Sequence, residues 1–119
     1  MEKLFYKNLK EFLKELIIVF PEDDSIKIIG SSINLAMMDD DEYSLIKTFY
    51  ESLVPSEKLI YTRDERFFKD NSSFLKKGKE YKLIIKLSEC FIELSESNKK
   101  IVWDYITIIY GLSKNITHS

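Results

Sequence analysis

Apolar residues recur at helical spacing along nearly the whole chain. Phe5, Leu9, Phe12, Leu13, Leu16, Ile17 and Phe20 step by three and four, the pattern of a helix with one broad buried face. Lys7, Lys10, Glu11, Lys14 and Glu15 fill the other side. Pro21 closes this helix, because the residue before a proline avoids helical geometry. Asp23, Asp24 and Ser25 offer cap and first-turn residues for a second helix, which runs through Ile26, Ile29, Ile33 and Ala36 to about Met38. Gly30 stands inside it and marks either a close helix crossing or a short break; glycine there costs about 1 kcal/mol relative to alanine.

Asp39-Asp40-Asp41-Glu42 opens a third helix with Tyr43, Ile46, Phe49, Tyr50 and Leu53 as its stripe, and Pro55 follows its end. Ser56 starts a short fourth helix through Leu59 and Ile60. Thr62-Arg63-Asp64-Glu65 has the form of a capping box, so another turn or two, holding Phe67 and Phe68, is predicted there. Residues 70 to 80 are the most loop-like stretch. A longer helix then carries Leu83, Ile84, Leu87, Phe91, Ile92 and Leu94, and Ser95 to Asn98 make a turn. The last helix carries Val102, Tyr105, Ile106, Ile109, Leu112 and Ile116, with Trp103 one step off that stripe. Apolar residues lie on both of its faces, so it is predicted to be the central helix. No segment alternates like a strand next to a hairpin turn. The expected fold is therefore all-α, one domain over residues 1 to 119, a bundle of five to six helices.

Composition agrees with that picture and narrows the chemistry. The 119 residues are 45% hydrophobic and 13% aromatic, enough for a real core. One Cys and one His exclude an internal disulfide and a Cys/His zinc site within one chain. Three scattered glycines cannot form a phosphate loop. His118 stands near the end, where chains fray, and is a poor catalytic base. Cys90, within an apolar helix stripe and with no histidine to activate it, is expected to be structural. The acids from Asp39 to Glu42 are contiguous and lack the glycine of a calcium loop, so they are expected to favour a helix start. No catalytic residue, metal or cofactor is expected. Leu16 to Phe20 is too short a run for a secretion signal, and no stretch is apolar enough for a membrane helix; an intracellular, non-membrane protein is expected. Two glycosylation-type triplets, Asn71-Ser72-Ser73 and Asn115-Ile116-Thr117, are then chance matches.

The net charge of −2 hides a split. Residues 1 to 57 have a balance of −6, residues 58 to 86 of +5, and residues 87 to 119 of −1. The basic centre makes Lys76, Lys77, Lys79 and Lys82 candidate contacts to nucleic-acid phosphates, with Lys86, Arg63 and Arg66 in support. Against that stand the acidic total and the lack of interleaved aromatics. Phe67 and Phe68, adjacent on a helix, cannot both point the same way. Either one is core and one exposed, or the piece is buried on two sides. If one is exposed beside Arg63 and Arg66, the four make an interface hot spot. These four are the candidate protein-binding residues.

Three pieces of sequence carry a resemblance: Phe20-Pro21-Glu22-Asp23 after the first helix, Arg63-Asp64-Glu65-Arg66-Phe67-Phe68 in the middle, and the final helix from Ser97 to Tyr105. Together they resemble a group of small, uncharacterised α-helical proteins of nucleocytoplasmic large DNA viruses. The group implies a helical fold, and it supplies no activity or functional residue. The residue usage, with Lys far above Arg, much Ile and the single Ala36, suits an AT-rich genome. In length, helicity and Ile, Lys, Asp and Tyr content the chain is also similar to poxvirus inhibitors of host signalling that share the fold of apoptosis regulators. The leading expectation is a non-enzymatic helical module, viral, in the host cytoplasm or the virion, that binds another protein or itself. The alternatives are a nucleic-acid accessory protein acting through residues 58 to 86, and a helical inhibitor whose surface groove takes a partner's helix.

Overall fold

A computed structural model describes residues 1–38, 44–69 and 78–118, and these residues are all-α. Helices α1 (Glu2–Val19), α2 (Asp24–Met38), α3 (Ser44–Leu53), α6 (Gly78–Cys90) and α7 (Glu96–His118) are the long ones. Two single-turn pieces, α4 (Glu57–Tyr61) and α5 (Arg66–Lys69), lie between α3 and α6, and 3-10 turns follow α3 and α6. The long helices close into a ring: α7 packs on α1 and α3, α1 on α2, α2 on α6, and α6 on α3. One continuous core fills the ring. The radius of gyration, 13.3 Å, is close to the ~13.5 Å of a compact domain of this length.

The stripe that periodicity marks on α1 is its buried face, and on α2 the buried seam keeps Ile26 and Ile33 but runs through Gly30 and Met37, leaving Ile29 and Ala36 half-buried. Phe5, Leu9, Phe12, Leu13 and Leu16 of α1 and Ile26, Gly30, Ile33 and Met37 of α2 point inward. Asp23 caps α2 as expected: its carboxylate accepts the backbone N–H groups of Ser25 at 2.9 Å and Ile26 at 3.3 Å. The helix is unbroken at Gly30. A methyl group there would meet only Leu13 Cδ2, at 4.0 Å, which is ordinary contact. Gly30→Ala is therefore expected to raise stability by about 0.5–1 kcal/mol, through the smaller backbone entropy lost on folding. Chemical denaturation checks this; a loss would mean that α1 and α2 approach more closely than the 4.0 Å contact implies.

Helix α7 is central, touching α1, α3 and α4. Its buried residues are Val102, Trp103, Ile106, Ile109, Tyr110 and Ser113, so the seam runs closer to Trp103 and Tyr110 than the stripe through Tyr105 and Leu112 implies. Other boundaries shift too. The Thr62 capping box does not form. Thr62 instead donates its hydroxyl back to the Lys58 carbonyl at 2.8 Å, ending α4. Asp64 then accepts the Arg66 N–H at 3.0 Å before α5. Arg63, between them, sits in left-handed backbone at φ 53°, a turn geometry that no box sequence signals. Helix α6 ends at Cys90, not at Leu94, and Ser95 caps α7 by accepting the Asn98 N–H at 3.2 Å. The chain end is not frayed at His118: its Nε2 lies 2.7 Å from the Tyr50 hydroxyl, with the ring edge-on to Tyr50.

Candidate interaction groove between α2 and α6

A surface helix in water normally turns charged side chains outward. Helix α2 does so only in its first turn, at the exposed Asp24 and Lys27; residues 28 to 38 contain no charged residue. On its outer side Ile28 is 67% exposed, Leu35 59% and Met38 80%. Ile28 and Leu35 are seven residues apart, two turns along one face. Beside this face α2 and α6 part to form a groove of about 400 Å³. Ile28, Ile29 and Ile85 give it apolar walls, and Lys82, Lys86 and Glu89 of α6 give it a charged rim.

The Asp23–Lys86 ion pair ties the two helices together beside the groove. Lys86 Nζ is 3.0 Å from Asp23 Oδ2 and 3.8 Å from Glu89 Oε2. The hydrogen bond from Lys86 holds the Asp23 carboxyl below the usual range, and the two capping N–H groups help. Asp23 in turn raises the Lys86 pKa. One carboxylate thus caps α2 and ties it to α6. Lys86 is neutralised locally, whereas Lys82 is exposed and has no carboxylate partner among the described residues.

The residues singled out from sequence do not converge. Phe67 and Phe68 are 1% and 4% exposed, which corrects their reading as surface anchors. Helix α5 is one turn long and wedged against α4 and α6, so it is buried on two sides. Both rings join Phe91 and Trp103 in an aromatic cluster, with Phe68 stacked on Phe91 at 4.2 Å. Arg63 is paired to Asp104 at 2.6 Å. Arg66 donates to Asp64 Oδ2 from Nε at 3.0 Å and from its terminal nitrogen at 2.6 Å, and this holds the Asp64 carboxyl at about 2. The two arginines are exposed, but no aromatic anchor stands between them. Of the candidate phosphate contacts, Lys76 and Lys77 lie outside the described residues, as does the Lys79 side chain. Lys82 is at the groove. Of the described cations of this segment, Arg63, Arg66 and Lys86 are engaged by carboxylates, and Lys58, Lys69 and Lys82 are in no ion pair among the described residues.

Other chemistry is sparse. Among the described residues no three His, Cys, Asp or Glu side chains gather as a metal site; Asp39 to Glu42 lie outside them. Cys90 is half-buried and burial pushes its thiol pKa up, away from a reactive thiolate. Among the described residues no helix is long and apolar enough to cross a membrane. No protein family, curated protein or solved structure matches the chain. The groove is not legible in the sequence because its lining residues, on α2 and α6, lie more than fifty positions apart. One signal was present, the charge-free run of residues 28 to 38.

Proposed function

We propose that this chain is a non-enzymatic helical interaction module, and that its α2–α6 groove takes the apolar face of an amphipathic helix from a partner protein. The carrying observation is the charge-free stretch of α2 from Ile28 to Met38, with Ile28, Leu35 and Met38 exposed, beside an apolar groove. Exposed isoleucine and leucine contribute little to folding while they face water, and large apolar side chains set beside an apolar groove, with only uncharged Ser31 and Asn34 exposed among them, fit an interaction site. Ile28 and Leu35 match the two-turn spacing at which a docked helix presents its anchors. The unpaired Lys82 on the rim favours a partner with an acidic residue flanking its apolar stripe. The resemblance to helical proteins of large DNA viruses supports a host or virion protein as that partner, inside the infected cell.

The test is a titration of the isotope-labelled protein with two helical peptides followed by NMR. Both carry the same apolar stripe, one flanked by Glu and the other by Lys. The expected result is that the Glu-flanked peptide binds at least five-fold tighter, with shifts centred on Ile28, Ile29 and Ile85. Ile28→Glu abolishes that binding with the fold intact, since the side chain is largely exposed. Lys82→Glu reverses the peptide preference. Shifts centred elsewhere, no binding of either peptide, or self-association that occupies this groove would overturn the proposal.

A further inference from the structure

Helix α1 carries a second surface that shares no residue with the groove. Lys3, Lys7, Lys10 and Lys14 follow one another by four, three and four residues. At 100° and 1.5 Å per residue they fall within an arc of about 60° along about 16 Å of helix. All four are exposed. None has a carboxylate partner among the described residues, whereas Lys86, Lys99, Lys100, Lys114 and both arginines do. The stripe lines a shallow depression of about 470 Å³ together with Tyr6 and the single acid Glu11. Tyr6 is half-buried and fixed edge-on against the Phe5 ring at 5.7 Å and 84°.

We propose that this stripe binds the phosphate backbone of single-stranded nucleic acid without regard to sequence. Four unneutralised ammonium groups in a row repel one another, and a chain of phosphates relieves that repulsion while releasing condensed counterions. Lysine acts as a point charge rather than a planar fork, which suits backbone contacts and not base readout. A fixed aromatic ring in a cationic depression is the arrangement on which unpaired bases stack. An anionic membrane fits less well. A helix that lies in a membrane interface must insert its apolar face, and here that face, from Phe5 to Leu16, is buried in the core.

Anisotropy of a labelled oligo-dT and a labelled oligo-U, measured over a salt series, tests the proposal. A matching duplex and vesicles of phosphatidylserine and phosphatidylcholine serve as the other arms. The expected result is binding of either single strand at low salt, with a log–log salt slope of about −2 to −3 for three to four phosphate contacts. The double variant Lys7→Glu, Lys10→Glu weakens it at least ten-fold with an unchanged helical circular-dichroism spectrum. Reversing Lys76 and Lys77 instead leaves it within two-fold. Four results would overturn the proposal: no binding at low salt; binding insensitive to the α1 variant; loss of binding on reversing Lys76 and Lys77; or preference for the duplex or the vesicles. The peptide titration at the groove is unaffected by the α1 variant, so the two surfaces stand or fall separately.

Discussion

Phe68→Ala is expected to cost the fold about 3–5 kcal/mol, the usual range for deleting a buried phenyl ring. Small domains have about 5–15 kcal/mol in total, so the variant is expected to be largely or marginally unfolded at physiological temperature. The reason is the company the ring keeps. Phe68 contacts Phe67 at 4.9 Å, Phe91 at 4.2 Å and Trp103 at 5.0 Å between centroids. These neighbours come from α5, from the turn after α6 and from α7, so no single helix can shift to fill the gap without disturbing two others. Phe68→Leu keeps much of the volume and is expected to cost about 1–1.5 kcal/mol. Trp103 is the only tryptophan, and its emission reports directly on this cluster during denaturant unfolding. A loss below 1 kcal/mol for Phe68→Ala would mean that the ring faces solvent, and would restore Phe67 and Phe68 as candidate surface anchors.

That prediction turns on a choice the sequence left open. Two adjacent phenylalanines can be split between core and surface, or the piece can be buried on both sides. Periodicity could not decide, because α5 is a single turn and a single turn has no period. What decides is tertiary: α5 fills the space between α4, α6 and α7. Long helices were different. The inward faces of α1 and α2 follow directly from steps of three and four, and Asp23 caps α2 where its residue type says it should. Turn chemistry was the weakest guide. Thr62 and Glu65 have the spacing of a capping box, yet Thr62 bonds backward to Lys58, because the left-handed backbone at Arg63 redirects the chain.

Charge shows the same contrast between segment and surface. Summed along the chain, residues 1 to 57 are the most acidic segment, and residues 58 to 86 look like the place for an anionic ligand. Folding changes the accounting. Three described cations of the basic segment, Arg63, Arg66 and Lys86, are drawn into pairs with Asp104, Asp64 and Asp23, while Lys58, Lys69 and Lys82 stand apart rather than in one row. Four of the six lysines in the acidic segment line up on one face of α1, in no ion pair among the described residues and with the single acid Glu11 beside them. A helical reading of charge, with the same 3.6-residue period used for the apolar stripe, finds that row; a running sum hides it. The α2 surface obeys the same logic. Its missing charges are visible as a gap, but the groove beside it depends on α6, which packs on α2 through the shared core and is tied to it by the Asp23–Lys86 pair.

Tyr110→Phe is expected to lower stability by about 1–2 kcal/mol at neutral pH, and the loss is expected to shrink as the pH falls below about 4. Tyr110 is fully buried and its ring stacks on Tyr50 at 6.0 Å and meets Tyr61 at 5.7 Å. The substitution keeps those contacts and removes one hydroxyl. That hydroxyl donates to Glu57 Oε1 at 2.8 Å, and Lys114 donates to the same oxygen at 2.6 Å. Together they tie α4 to two successive turns of α7. A hydrogen bond to a charged acceptor contributes more than a neutral one, and burial with the nearby carboxylate pushes the Tyr110 pKa up, so it stays a donor throughout. The pH dependence follows from Glu57. Lys114 first, and Tyr110 second, hold its carboxyl below the usual range. A carboxylate whose pKa is lowered by folding stabilises the native state above its unfolded value, about 4.3, and loses that contribution as the pH drops through the lower folded value. Wild type should therefore lose its advantage over the variant on acidification, as the charged acceptor is titrated away. Urea unfolding of both proteins at pH 7, 5 and 3 measures the gap. A gap that stays constant with pH would show that the hydroxyl acts by packing, and that the carboxylate of Glu57 is held by Lys114 alone.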